Sequence, residues 1–254
     1  MLKKMNDLKN PWQQNPWDKG GQYWPPKVLE TIIDKFESNK KTTIQAKYLV
    51  GLDLSHYNSN IDWSKIGQDI NYKSQNLVAI SFLYIKVSEG SSYKDDLAFS
   101  HATNASKNNI PFGYYHFCRP KLGSAEIEAQ NFLNAMKVLS NATLKPVLDF
   151  EVEPDGLTKD ETAAWINSFA QKLGENLLIY GGGWFIESHL PASNNINRFP
   201  LWLAAHTDES KLHIPAGWTD WTIWQFAGHP TVPGNHPAIT GNVDMNYAKE
   251  LPTK

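Results

Sequence analysis

The sequence holds one cysteine, Cys118, in 254 residues. A lone thiol excludes an internal disulfide framework and cannot by itself build a cysteine-based zinc site. Charge of one sign is also missing. The 24 Lys and Arg residues face 26 Asp and Glu, net -2, which leaves no basic footprint for nucleic acid. No apolar run approaches the roughly 18 residues that span a bilayer. The opening segment, MLKKMNDLKNPWQQNPWDKGG, begins with lysines but has no apolar core behind them, so no Sec signal peptide is expected. No internal repeat or low-complexity tract interrupts the chain. What the sequence has in quantity is aromatic: ten tryptophans and ten tyrosines. Rings with a polar tip suit wet grooves and flat sugar faces, and equally a large core.

Residues 1–46 differ from the rest. NPWQQNPWDKGGQYWPP is rich in residues that break regular structure. KVLETIIDKFESN then spaces Val28, Ile32, Ile33 and Phe36 as a helix would. An extended arm with one short helix is expected, its tryptophans docked on the body or on a partner. From residue 47 to 254, short apolar segments alternate with helical ones. Strands are expected at 48–55, 77–88, 110–117, 145–152, 176–182, 200–206, 221–227 and 242–248. Helical patterns occupy 95–108, 124–140 and 160–174, with Ser124 and Thr158 as caps, and a shorter one lies near Trp184–His189. This alternation predicts a parallel sheet, and eight strands predict its closure. The expected fold is α/β: an irregular TIM-type barrel with eight strands and about five helices.

LKPVLDFEVEPDG, residues 144–156, sets Asp149, Glu151 and Glu153 at every second position after an apolar run. Alternate residues of a strand share a face, so these carboxylates crowd, and close like charges disfavour joint ionisation. Barrel enzymes carry catalytic groups at the C-terminal ends of their strands. Those ends hold Asp53, Lys86 with Glu89, His116 with Arg119, Asp149 with Glu151, Tyr180, His206 and Gln225. Asp244 is the exception, at the start or middle of the eighth strand. Two carboxylates facing one cavity suit glycoside cleavage: one is held protonated for the leaving oxygen, the other stabilises the positive anomeric carbon. Glu151, the longer arm, is assigned as acid and Asp149 as its deeper partner. Glu153, ahead of Pro154, is expected to be solvated or structural.

These residues resemble a known family. GLDLSHYNSNIDWSKI (51–66), YIKVSEG (84–90), IPFGYYHFCRP (110–120) and PVLDFE (146–151) are similar to signatures of the glycoside hydrolase family 25 lysozymes. PLWLAAH, WTIWQFA and GNVDMNYA follow in the family's order. The resemblance implies an N-acetylmuramidase that cleaves peptidoglycan glycan strands on a barrel of eight strands and five helices. It implies Glu151 as acid/base, Asp149 as its partner, and Asp53 and Asp244 as two further active-site aspartates. Asp149 acts either as nucleophile or by steering the substrate's own acetamido group, a recognised exception to the two-carboxylate scheme. Lys86, Glu89, Tyr115, Tyr180 and Gln225 are expected along the cleft as substrate-binding groups, with a packed, supporting role as the alternative for Lys86, Tyr115, Tyr180 and Gln225. His116 and Arg119 fit the motif as cleft groups or as braces of the strand end. No metal and no cofactor are implied.

Three other functions fit these residues less well. A chitinase-like glycosidase would carry a further aspartate where Val147 stands. A metal-dependent deacetylase would need more patterned histidines than His116 and His206. A non-catalytic glycan-binding module would keep the aromatics and lose the acids. The expected protein is a monomer acting on the cell wall, in the periplasm or outside the cell. As a phage lysin or an exported antibacterial effector, it would be made in the cytoplasm without a Sec signal, with residues 1–46 available to a delivery partner.

Overall fold

A computed structural model describes residues 48–67, 79–139 and 141–254. The expected arm and helix of residues 1–46 lie outside the described residues. β1 (Leu49–Leu54), β2 (Ile80–Glu89), β4 (Phe112–Phe117), β5 (Val147–Asp149), β6 (Leu178–Gly182), β7 (Leu201–Ala204), β8 (Ile223–Ala227) and β9 (Asp244–Ala248) form one sheet. Its order is β1-β9-β8-β7-β6-β5-β4-β2, and pairing of β1 with β2 closes it into an eight-stranded barrel. A two-residue strand, β3 (Tyr93–Lys94), turns back antiparallel on the end of β2. Four α-helices pack outside among the described residues: α1 (Ala98–Lys107), α2 (Ala125–Leu139), α3 (Lys159–Lys172) and α4 (Gly183–His189). Thr158 caps α3 through a reciprocal box with Glu161.

The strands read as nearly continuous apolar runs because both faces are covered. Their outward residues, among them Leu52, Ile85, Tyr114, Leu148 and Ile179, pack in a layer that includes Phe132 and Phe169 of the helices. Their inward residues fill the barrel with Phe82, Tyr84, Val147, Leu178, Trp202 and Ile223. Each inward stripe then changes character along the strand. Phe82 and Tyr84 lead to Lys86, Val147 leads to Asp149, and Ile223 leads to Gln225. The barrel is a packed core at one end and a polar cup at the other.

Two expectations are corrected. The sheet is not parallel throughout, because β9 runs antiparallel to both β1 and β8. No helix lies between β8 and β9, and a loop alone lets a strand return beside its neighbour without a crossover. β5 is also shorter than expected, ending at Asp149. Phe150 still donates its backbone N–H to the Tyr180 carbonyl at 2.9 Å, but Glu151 lies beyond the sheet.

Candidate active site

The antiparallel course of β9 explains why Asp244 is out of step with the other polar residues. Its first residue lies at the end where the parallel strands finish, and Asp244 pairs in register with Asp53 of β1. Asp149 pairs with Tyr180 and with Phe117. Gln225 pairs with Asn246. Asp53, Asp149, Glu151 and Asp244 therefore meet in one cup, close enough that each perturbs the ionisation of others.

The floor of the cup is tightly bonded. Asp53 Oδ2 accepts hydrogen bonds from Gln225 Nε2 at 3.1 Å and from Asn246 Nδ2 at 2.7 Å. Asn246 in turn accepts from Trp202 Nε1 at 2.8 Å. Tyr180 donates its hydroxyl proton to Gln225 Oε1 at 3.0 Å, and His206 Nε2 lies 3.1 Å from the same oxygen. Burial raises the Asp53 carboxyl, and the amide donors offset part of that rise. Asp244, hydrogen-bonded to Asp53, is pushed up to about 8 by burial and by its charged neighbour. Both carboxyls of this pair are thus raised, and the two are too close to ionise together freely. Gly228 makes the arrangement possible: at φ +138 it approaches the Asp244 carboxylate so closely that a Cβ would overlap Oδ1.

The wall carries the second pair of acids. Asp149 is buried, and its carboxyl is held well above the usual range by that burial, then by Glu151, with Lys86 working against them. Its Oδ1 atom is buried and has no hydrogen-bond partner. Glu151 keeps one side open to solvent. The protein packed around its carboxyl still raises it, Asp53 adds to the rise, and Tyr180 and Lys86 pull it down. Tyr115 faces the same acids, and burial followed by their charge lifts its phenol far out of the titrating range.

Lys86 is the cation of the cup. Its Nζ lies 2.6 Å from Glu89 Oε2 and 4.7 Å from the centre of the Phe117 ring. Arg119 Nη2 takes the other Glu89 oxygen at 2.6 Å. Partial burial works upward on Glu89, but the two cations outweigh it and hold it ionised. Glu89 is therefore engaged as the anchor of Lys86 and Arg119.

His116 is not in the cup. It points outward from β4, fully buried beside Ser88, Glu128, Phe132 and Phe169. Glu153 stands on the surface and pairs with His189 at 3.1 Å. Asn246 and Trp202 are the groups that the sequence reading missed. Asn246 is two residues from Asp244 on the same strand face, the spacing that drew attention to Asp149 and Glu151. Among the described residues, no cluster of three or more His, Cys, Asp or Glu has the geometry to hold a metal ion.

Comparison with known proteins adds a lineage to this geometry. The family described as Glycosyl hydrolases family 25 matches residues 52–235. Lysozyme M1 of Streptomyces globisporus is 33% identical over 208 residues, 77% of this chain; the match spans 66% of that relative's length, just under two thirds. N,O-diacetylmuramidase of Chalaropsis sp is 27% identical over 209 residues, 76% of this chain and 95% of that protein. Among solved structures, the bacterial lysozyme of Streptomyces coelicolor superimposes with a TM-score of 0.68 at 29% identity, covering 82% of this chain and 94% of the other.

Proposed function

This chain belongs to glycosyl hydrolase family 25, and from that premise we propose that it hydrolyses peptidoglycan at the β-1,4 bond between N-acetylmuramic acid and N-acetylglucosamine. The substrate places its action in the cell wall, periplasmic or extracellular. The observation that carries the reading is the lone Asp149 Oδ1, a buried acceptor without a donor, set two residues before a carboxyl open to the cleft. A buried polar atom left unpaired costs on the order of 1–3 kcal/mol. An N-acetyl sugar brings the missing donor in the N–H of its 2-acetamido group.

The chemistry follows from that contact. Once the acetamido N–H donates to Asp149, the ionised form of Asp149 is favoured, and the proton that crowding keeps on the acid pair resides on Glu151. Glu151 passes it to the leaving oxygen as the glycosidic bond breaks. The acetamido carbonyl oxygen, oriented by Asp149, bonds to the anomeric carbon and forms a cyclic oxazolinium. Water then attacks that carbon, loses its proton to Glu151 and reopens the ring, so that acid and partner return to their starting states. The ionised member of the Asp53–Asp244 pair offsets positive charge in this low-dielectric cup. Lys86, fixed by Glu89, keeps the acids from all becoming neutral.

The test is digestion of purified peptidoglycan followed by mass spectrometry of the soluble fragments. New reducing ends on N-acetylmuramic acid are expected. Reducing ends on N-acetylglucosamine would overturn the assignment.

A further inference from the structure

Five large apolar side chains are exposed among the described residues: Tyr57, Tyr93, Leu122, Ile127 and Trp184. Four of them follow the catalytic ends of strands, with Tyr57 after β1, Tyr93 after β2, Leu122 after β4 and Trp184 after β6. The exposed apolar surface is thus gathered around the mouth of the cup rather than scattered. Trp184 differs from the others in how it is held. It is 72% exposed, yet its indole stacks face to face on the His213 ring, with centroids 3.4 Å apart and planes 2° from parallel.

His213 is itself fixed. Its Nε2 lies 2.5 Å from Glu187 Oε2. The backbone of Gly183 presses so closely on the His213 carbonyl that no side chain fits between them. One indole face is therefore backed by a braced ring, and at that exposure the opposite face lies open to water. Folding does not explain a tryptophan placed this way, because a buried indole would contribute far more. Trp184 also lies four residues beyond Tyr180, which pairs in register with Asp149 of the neighbouring strand. Four residues of chain reach at most about 14 Å, so the platform stands at the same end of the barrel as the acids.

We propose that the Trp184–His213 stack is a sugar platform that receives the C–H face of a pyranose ring of the glycan strand away from the cleaved bond. This rests on the glycan-cleaving reading of the cup and extends it to the substrate's length: the enzyme recognises a polymer rather than a single linkage. The braced ring means that little side-chain freedom is lost when the sugar arrives, and preorganised contacts of that kind favour affinity.

The experiment uses peptide-free peptidoglycan glycan strands, separated by length. Trp184→Ala should raise KM for long strands about tenfold while kcat stays within about twofold. The shortest cleavable oligosaccharide should show no change, Trp184→Phe should recover most of the loss, and His213→Ala should lose less than Trp184→Ala. An unchanged KM on long strands overturns the proposal, and so does an equal rise on the shortest oligosaccharide. Calorimetric titration of long strands into Glu151→Gln, with and without Trp184→Ala, reads the platform independently of turnover. Equal affinities in that titration also overturn it. Wild-type protein that cleaves nothing while Trp184→Ala still weakens strand binding would sink the hydrolase reading and leave the platform standing.

Discussion

Adjacent residues of β4 lead into two polar clusters with opposite fates. Tyr115 points inward, to the cup where Asp53, Asp149, Glu151 and Asp244 meet. His116 points outward, into a closed chain of polar side chains between the barrel and its helices. There Ser88 Oγ lies 2.8 Å from His116 Nδ1, and His116 Nε2 lies 3.2 Å from Glu128 Oε2. Glu128 also accepts from Arg119 N at 2.9 Å and Ser124 Oγ at 3.0 Å, and Trp165 Nε1 donates to Ser124 Oγ. Burial holds His116 neutral, so the proton on Nε2 goes to the carboxylate and Nδ1 accepts from Ser88. Ser, His and Glu are the residue types of a hydrolytic triad, but this chain is sealed from solvent and none of its links is open to a substrate. The cup is its inverse: open on one side, with four carboxyls raised first by burial and, for Asp149, Glu151 and Asp244, further by their charged neighbours, and one buried oxygen without a donor. The two clusters share residue types and differ in whether raised carboxyls face an opening, so residue type alone does not tell them apart.

If that contrast holds, mutations in the two clusters should separate activity from stability. Glu151→Gln should lower kcat about 10²–10⁴-fold, the range for removing a general acid. Asp149→Asn should also cost about 10²-fold or more through loss of transition-state charge and orientation. Neither should lower the melting temperature, and a marked fall in either would mean that the acids are structural. Glu128→Ala should do the reverse. Its loss leaves the donors of His116, Arg119 N and Ser124 without their acceptor. Each one left buried and unpaired costs about 1–3 kcal/mol, which together corresponds to on the order of 10 °C in a domain of this size. Below the melting transition, kcat per folded molecule should stay within about threefold on the general scale of effects at a distance from the site. A kcat loss comparable with that of Glu151→Gln would erase the distinction.

The smallest effect tests the floor of the cup by pH. Asp244 titrates at about 8 in the folded protein against an ordinary value of 3.8. A carboxyl raised in this way binds its proton more tightly folded than unfolded. Its stabilising contribution is complete below about pH 4 and is lost as pH rises through about 8. Asp244→Asn removes that penalty, so it should raise the melting temperature at pH 9 by about 2–4 °C for each kcal/mol relieved, with no gain at pH 4. Thermal scans at the two pH values decide it, and a gain of equal size at both would show that the ionisation of a buried Asp244 beside Asp53 is not the cause.

Legibility in the sequence followed the range of the physics involved. Asp149 and Glu151 were visible because strand alternation is local, and the strand-end positions of Lys86, Tyr180 and Gln225 followed from the same rule. Asp244 was noticed for the right residue type in the wrong place, since only the antiparallel pairing with Asp53 brings it to the polar end. Glu89 and Arg119 were legible as polar groups near the cleft, but their lock on Lys86 depends on two strand ends meeting.

The order of apolar and polar residues along each segment determined the barrel, its inward stripes and the strand that carries the acids, because side-chain direction in a strand repeats every second residue whatever lies beside it. Where protons reside, which histidine is sealed away, that Asn246 braces Asp53 and that Trp184 rests on His213 were decided by tertiary structure alone. Those properties depend on distances between groups far apart in the chain, from 28 residues for Ser88 and His116 to 193 for Asp53 and Asn246, and no local pattern encodes such distances.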